Sequence, residues 1–138
     1  TLSPALIAEK YEHKTPDFTS RLKAVKEASK LGLSLRLCFD PVLKVPDYED
    51  LYGDMLERVF SEIAPNCLRD ISIGGFRTSK DFLSKMRKRR ESSAILSYPY
   101  VLEDGVYSYG NEENKKLTGF LIDRSARYID KSKIFTWE

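Results

Sequence analysis

The sequence predicts an α/β fold, a single domain over residues 1–138 that forms part of a (β/α) barrel. Helical and strand-like patterns alternate along the chain, which is typical of βαβ units around a parallel sheet. The two clearest strand patterns begin near Leu33 and Leu68, about 35 residues apart, a spacing typical of one βα step. A complete barrel has about 250 residues, so this chain supplies roughly half of one.

The composition excludes several classes of protein. Hydrophobic residues make up 41% and charged residues 32% of the chain, which argues against a disordered segment, a collagen-like repeat or a coiled coil. No apolar run approaches the roughly 20 residues that span a bilayer, and no secretory signal is visible. With only Cys38 and Cys67, a disulfide framework is excluded. We therefore expect a cytoplasmic protein without a membrane partner.

Charge is sorted along the chain, although the formal net charge is only +2. Residues 40–70 carry eight acidic and three basic side chains, whereas residues 77–90 carry seven basic side chains and one acidic side chain. This separation predicts a surface with one acidic and one basic region. It does not by itself identify what the basic region binds.

Two helices are predicted in the N-terminal part of the chain. The first is short and covers residues 4–12. The second begins with Thr15 as the N-cap and Pro16 in the first turn, and Gly32 ends it. Its apolar stripe consists of Phe18, Leu22, Val25, Ala28 and Leu31.

The centre of the chain alternates between strands and a helix. Residues 33–39 are almost continuously apolar, which indicates a strand that stops at Asp40-Pro41. Asp47 begins a helix, with a capping box formed by the acidic residue three positions later. The buried face of this helix consists of Leu51, Met55, Leu56, Val59, Phe60 and Ile63. A second strand over residues 68–73 ends at Gly74-Gly75.

The last part of the chain predicts a helix, a hairpin, a helix and a strand. Ser79 caps a helix that reaches about Arg90, with Phe82, Leu83 and Met86 facing inward. Two extended runs flank Asp104-Gly105, which is typical of a β-hairpin. These runs are residues 94–102 and 106–109, and the final helix and strand cover residues 112–131 and 134–137.

Three places along the chain carry side chains suited to chemistry. In α/β barrels the loops after the strands converge on one face. Asp40 with Cys38, and Arg77 after the glycine pair, follow the two predicted strands and are candidate site residues. The third place is the hairpin with its tyrosines, which are Tyr98, Tyr100, Tyr107 and Tyr109.

Each place also has a structural alternative that the sequence leaves open. Asp40 before a proline shapes turns, and Cys38 on an apolar strand is more often a core residue than a reactive thiol. The basic run 87–90 lies at a helix C-terminus, where cations favour the helix dipole. Hairpin tyrosines usually pack. His13, the only histidine, lies between helices, which excludes a Ser-His-Asp triad and a His-rich metal site.

Several motifs follow one another in a fixed order between residues 14 and 128. They are Arg21-x-x-Ala24-x-x-x-Ala28-x-x-x-Gly32, Phe39-Asp40-Pro41, Tyr48 with Tyr52, and Ile71-Ser72-Ile73-Gly74-Gly75-Phe76-Arg77. In this order they resemble the C-terminal half of the radical S-adenosylmethionine enzymes of the spore photoproduct lyase group. The resemblance implies the C-terminal half of a TIM-type barrel with a C-terminal β-hairpin.

The resemblance also implies an activity for the parent protein. In that family a [4Fe–4S] cluster reduces S-adenosylmethionine, and the resulting 5′-deoxyadenosyl radical acts on a DNA lesion. The cluster is held by a Cys-x-x-x-Cys-x-x-Cys motif, which Cys38 and Cys67 cannot form. We therefore expect this chain alone to bind no cofactor or metal and to be inactive. Its expected partner is the missing N-terminal half of the barrel, from the same parent chain.

The resemblance implies site residues at the strand ends and at Tyr109, and the basic helix over residues 79–90 and the tyrosine hairpin supply the others. Asp40 and Cys38 are predicted to lie near the cofactor, and the residues predicted to contact substrate or nucleic acid are Arg77, Tyr107, Tyr109, Lys85, Lys88 and Arg89. The chain departs from the family at Cys38, where the lyases carry histidine, and at Ser108, where they carry a basic residue. The departure at Cys38 favours a related family member with another substrate, and the departure at Ser108 argues against DNA contact by the hairpin. The substrate expected for the parent is therefore a DNA lesion or a related substrate.

Two other interpretations stay open. The basic helix over residues 79–90 and the tyrosine hairpin suit a noncatalytic α/β module that binds nucleic acid, with DNA as the candidate partner. Alternatively, the motifs are coincidental and the chain is an unrelated α/β domain. Salt-dependent DNA binding by the isolated chain would support the module.

Overall fold

The computed structural model describes residues 1–137 and places five α-helices and six strands in this part of the chain. The α-helices are α1 (Ala5–Tyr11), α2 (Phe18–Lys30), α3 (Tyr48–Glu62), α4 (Lys80–Arg89) and α5 (Asn111–Ser125). The strands are β1 (Leu35–Val42), β2 (Leu68–Gly75), β3 (Arg77–Ser79), β4 (Val101–Glu103), β5 (Val106–Ser108) and β6 (Ile134–Trp137). None of these helices is long and apolar enough to cross a bilayer.

Strands β1, β2 and β6 form a parallel sheet with β2 at its centre. Cys38 on β1 lies opposite Ser72 on β2, which in turn lies opposite Phe135 on β6. The other three strands form a small antiparallel sheet, in which the hairpin β4–β5 pairs with β3. The predicted parallel sheet and the predicted hairpin are both confirmed.

The two faces of the parallel sheet have different surroundings. Phe39, Ile71 and their neighbours on one face are buried in the hydrophobic core, which the helices complete. Side chains alternate across a strand, so Cys38 and Asp40 lie on the opposite face. On that face Phe135 and Trp137 are 48% and 52% exposed. The described residues therefore leave the second face open to solvent along β6.

Strand β1 runs past the point where the sequence predicts its end. The strand continues through the cis Asp40-Pro41 bond to Val42. A proline has no N–H for a ladder, but β1 is an edge strand, and its pairing with β2 shifts register between Phe39 and Val42. The edge position and the irregular pairing explain why the proline does not stop the strand.

Helices α2 and α3 begin close to the predicted positions, but their N-terminal hydrogen bonds differ from the predicted ones. Helix α2 is capped by Asp17, whose carboxylate accepts the Ser20 N–H at 2.7 Å, and not by Thr15. The Thr15 hydroxyl instead donates to the Glu12 carbonyl. Helix α3 begins after Asp47 as predicted, but the Asp47 side chain makes no capping bond, so the predicted capping box does not form.

Other predicted boundaries and faces are wrong. Leu31 and Phe82 are 77% and 57% exposed because each lies at a helix end, outside the packed stripe. Residues 94–100 form no strand: residues 94–97 are turns, in which Ile95 and Leu96 are buried in the core. Helix α5 ends at Ser125, six residues before the predicted end, and a 3₁₀ turn capped by Asp130 follows.

Candidate functional site

An ion pair joins the ends of two neighbouring strands. Arg77 donates to both carboxylate oxygens of Asp40, at 3.0 and 2.9 Å, and also to the Gly75 carbonyl at 3.2 Å. Because parallel strands end at one edge of a sheet, Asp40 near the end of β1 and Arg77 just after β2 meet there. The side chains are 24% and 38% exposed, so a ligand can compete for either charge.

Gly74 has no side chain, and the ion pair occupies the space that a side chain there would fill. A Cβ atom at Gly74 would lie 2.7 Å from Nη1 of Arg77 and 3.1 Å from the Asp40 carboxylate. A side chain there would push the two groups apart. The glycine pair therefore serves close packing at the strand end, which the sequence indicates without showing which groups approach.

Two tyrosine hydroxyls hold the segment that follows Asp40. The Leu43 N–H donates to the Tyr52 hydroxyl at 2.9 Å, and the Lys44 N–H donates to the Tyr109 hydroxyl at 2.9 Å. Tyr52 comes from α3 and Tyr109 from the end of the hairpin, so two distant segments fix the backbone beside the ion pair. Burial raises the pKa of both tyrosines, which keeps their hydroxyls neutral at ordinary pH.

The hairpin tyrosines are more buried than stacking on bases requires. Tyr109 is only 4% exposed, and its ring contacts Tyr98 and Tyr100 at centroid distances of 4.9 and 5.2 Å. Tyr107 is half-buried against the core. In this conformation Tyr109 supports the site and does not present its ring face to a ligand.

A cleft of about 1490 Å³ opens beside the Asp40 carboxylate. Its walls are the strand edge, the connection between α1 and α2, and the segment that follows α4. Five cationic and three anionic side chains line it, namely Lys10, Arg21, Lys88, Arg89 and Arg90, and Glu12, Asp40 and Glu91. Within residues 1–137, Lys88, Arg89 and Arg90 form no ion pair. The arrangement suits an anionic ligand.

The structure distributes the predicted site residues over several places. Asp40, Lys88 and Arg89 line the cleft, and Arg77 pairs with Asp40. Lys85 is exposed on α4 away from the cleft lining. Cys38 is half-buried in β1, on the open face of the sheet and two residues from Asp40.

The chain's own donors do not fit a [4Fe–4S] cluster. Cys38 lies within β1, whereas Cys67 lies just before β2, at the other end of the sheet, and its thiol contacts the Asn66 side chain. Such clusters are bound by cysteine thiolates from three or four positions. In the described part of the chain no three His, Cys, Asp or Glu side chains are grouped to hold a metal.

Sequence reasoning missed a polar network on the far wall of the cleft. Arg21 donates to Glu12 at 2.6 Å and to Thr15 at 2.7 Å, and the Ser3 hydroxyl donates to Glu12 at 2.5 Å. These residues are up to 18 positions apart and meet only because α1 and α2 pack at a corner. Arg21 begins the motif that ends at Gly32, whereas its partner Glu12 belongs to no motif.

Comparisons with known proteins support the fold. No family model and no curated protein matches the chain. A solved structure of a spore photoproduct lyase variant matches with a TM-score of 0.77 at 17% identity, over 95% of this chain and 41% of that chain. The lyase complexed with dinucleoside spore photoproduct matches with a TM-score of 0.74 over the same shares at 17% identity.

A third structure, a lyase variant with bound AdoMet and dinucleoside spore photoproduct, matches with a TM-score of 0.70 at 17% identity, over 89% of this chain and 38% of that chain. The chain thus spans about two fifths of the length of these lyases. At this identity the likeness concerns the fold, and it confirms the resemblance that the motifs predict at that level.

Proposed function

We propose that this chain is the C-terminal part of the barrel of a spore photoproduct lyase-like radical S-adenosylmethionine enzyme. The observation that carries the proposal is the fold match, which covers 95% of this chain but only 41% of a lyase chain. The parent protein would then act on a DNA lesion or a related substrate. The chain would supply one side of the site and would be inactive alone.

The open face of the parallel sheet supports a partial barrel. Parallel sheets are normally covered on both faces, yet Phe135 and Trp137 are about half-exposed on one face of this sheet. In a complete barrel this face points to the packed interior. We expect the remaining barrel strands of the parent to cover it.

Residues at the strand ends would contact the cofactor and the substrate. S-adenosylmethionine supplies a hydrogen-abstracting radical when it is bound and reduced. The Asp40 carboxylate can accept hydrogen bonds from hydroxyl or ammonium groups of such a molecule, and Cys38 lies below it on the same sheet face. Iron ligands would come from outside this chain, since its two cysteines do not fit a cluster.

Basic residues would face the substrate. Two of the lyase structures named above contain a dinucleoside spore photoproduct, and the side chains that line the cleft of this chain carry an excess of two positive charges. Lys88, Arg89 and Arg77 would contact an anionic backbone, with Lys85 and Tyr107 more peripheral. Tyr109 would act by holding the Lys44 backbone, as its hydrogen bond indicates.

The sequence that precedes Thr1 in the gene offers the direct test. We expect a Cys-x-x-x-Cys-x-x-Cys motif within about 150 upstream residues, given the size of a complete barrel. The longer protein should then assemble an iron–sulfur cluster and cleave S-adenosylmethionine. If no such motif precedes Thr1, the enzymatic proposal fails for this chain.

A noncatalytic nucleic-acid-binding module is the second candidate function. Lys88, Arg89 and Arg90, which line the cleft and form no ion pair within residues 1–137, favour it, because phosphate contacts need exposed positive charge. This module would bind an oligonucleotide as the isolated chain, with affinity that falls as salt rises. Binding without any dependence on the rest of a barrel would favour the module, and no binding at low salt would exclude it.

A further inference from the structure

The segment after α4 presents a serine hydroxyl at the mouth of the cleft. Ser92 is exposed and lies in a turn closed by a 3.1 Å bond from the Ser93 N–H to the Arg90 carbonyl. In the described part of the chain the Ser92 hydroxyl has no hydrogen-bond partner. Because Ser92 is also exposed, its hydroxyl is accessible to an enzyme.

Two free arginines precede this hydroxyl. Arg89 and Arg90 stand three and two positions before Ser92, are exposed, and have no carboxylate partner within residues 1–137. Arg87 differs, because it donates to the carbonyls of Leu96 at 2.7 Å and Tyr98 at 3.1 Å and is thereby fixed. The pattern Arg-Arg-Glu-Ser thus presents its two specificity-bearing cations to solvent. Protein kinases select substrates by such charge patterns.

We propose that Ser92 is a phosphorylation site for an arginine-directed protein kinase and that its phosphate neutralises the cleft. The kinase would supply Mg-ATP. The bond between the γ-phosphorus and its bridging oxygen breaks, and a bond from the γ-phosphorus to the Ser92 Oγ forms. The hydroxyl proton passes to the base of the kinase, and ADP leaves.

Phosphorylation of Ser92 would change the net charge of the side chains that line the cleft. Five cations and three carboxylates line the cleft, an excess of two positive charges. A phosphoserine carries about −1.5 to −2 at pH 7, so a single phosphate cancels that excess. Arg89 and Arg90, at the end of α4, are the cations that stand closest to Ser92 along the chain, and they are the ones that the phosphate would neutralise. This effect of the phosphate rests on the proposed function of the cleft, whereas the assignment of Ser92 as a phosphorylation site does not depend on that function.

The neighbouring serine provides a matched control. Ser93 is half-buried, and its carbonyl accepts both the N–H and the hydroxyl of Ser97 at 3.0 Å. Ser93 is thus held in the turn, although it is one residue further from the same arginines. A kinase that reads only sequence proximity would use both serines, whereas the structure favours Ser92.

The site is tested with the 138-residue chain, Mg-ATP and the catalytic subunit of the cyclic-AMP-dependent protein kinase. We expect one phosphate on the wild type and on Ser93→Ala, and none on Ser92→Ala, by mass spectrometry of peptides. Arg89→Ala should lower the kinase kcat/KM at least about tenfold, because a hydrogen bond to a charged group contributes enough binding free energy to change affinity by about that factor or more. Phosphate on Ser93, or none on the wild type, would overturn the assignment.

The effect on the cleft is measured separately with a labelled single-stranded oligodeoxynucleotide. Loss of two phosphate contacts should lower the slope of log K against log salt by about 1.4 and weaken binding at low salt about tenfold or more. Equal binding by the phosphorylated and unmodified chains would refute the charge effect but not the site. If the unmodified chain does not bind, the nucleic-acid function of the cleft fails, and the peptide mapping still decides Ser92.

Discussion

Replacement of Gly75 by alanine tests how closely α5 packs on the strand that carries the site. A Cβ atom at Gly75 would lie 1.8 Å from Oδ1 of Asn114 and 3.0 Å from its Cγ. The three atoms nearest to that position all belong to the Asn114 amide. The backbone of Gly75 is outside the left-handed region, so the contact with Asn114 is the main source of strain.

We expect Gly75→Ala to lower the free energy of unfolding by about 2 kcal/mol, since overpacking typically costs 1–3 kcal/mol. Gly119→Ala is the matched control, because Gly119 lies inside α5 with no atom within 4 Å of the added carbon. That change should stabilise the chain by roughly 0.5–1 kcal/mol through helix propensity.

A double mutant tests whether the contact with Asn114 causes the loss of stability in Gly75→Ala. The Asn114 Oδ1 atom is buried without a hydrogen-bond partner, so Asn114→Ala removes an unsatisfied group and should be close to neutral. In the Asn114→Ala background, Gly75→Ala should cost less than about 0.5 kcal/mol, which gives a coupling energy of about 1.5 kcal/mol.

Urea unfolding followed by far-UV circular dichroism and by the single tryptophan provides the measurement. Trp137 lies on the open sheet face, and its indole N–H donates to Ser72 at 2.6 Å, so its fluorescence reports on the sheet that carries Gly75. An equal cost of Gly75→Ala with and without Asn114 would refute the steric explanation, as would equal effects at Gly75 and Gly119.

Three further predictions concern charge and hydrogen bonding. Asp40→Ala should cost less than about 1 kcal/mol of stability, because its ion pair is partly exposed. If the parent is the proposed enzyme, the same change should impair S-adenosylmethionine cleavage or substrate turnover more than it impairs folding; wild-type turnover would return Asp40 to the turn-forming residues. Arg36 holds the pKa of Asp70 below its usual 3.8, so the stability that this pair contributes is present above pH 3.8 and is lost as the pH falls below it. Asp70→Asn should therefore be less stable at pH 7 and lose less stability between pH 5 and pH 2, a difference that urea midpoints across pH will show or exclude. Tyr109→Phe leaves the Lys44 N–H without its acceptor and should cost about 1–2 kcal/mol; an unchanged thermal midpoint would show that water replaces the hydroxyl.

Local elements are the part of the fold that the sequence predicts well. Helix α4 forms where Ser79 predicts it, because an N-cap needs only the Phe82 N–H three residues later. Gly32 has φ 71° after α2, as expected for a helix-ending glycine. Both signals depend on neighbours within one helical turn, so they need no tertiary information.

The site could be predicted only in part. Asp40 and Arg77 are expected at one edge because parallel strands end together, and they form an ion pair there. Tyr109, predicted to face nucleic acid, is buried because the hairpin folds onto the segment after β1, a contact between residues 65 positions apart. The far wall of the cleft, with Glu12 and Arg21, depends in the same way on how two helices pack.

By itself the sequence determined the α/β alternation, the parallel strands and the family resemblance, since periodicity, caps and strand-end motifs act over a few residues. Only the tertiary structure decided that a basic cleft lies beside Asp40, that the sheet keeps one open face, and that Ser92 stands free at the mouth of the cleft. These features depend on burial and on distances between segments far apart in the chain. No pattern along the sequence fixes such distances, because they follow from the packing of the whole chain.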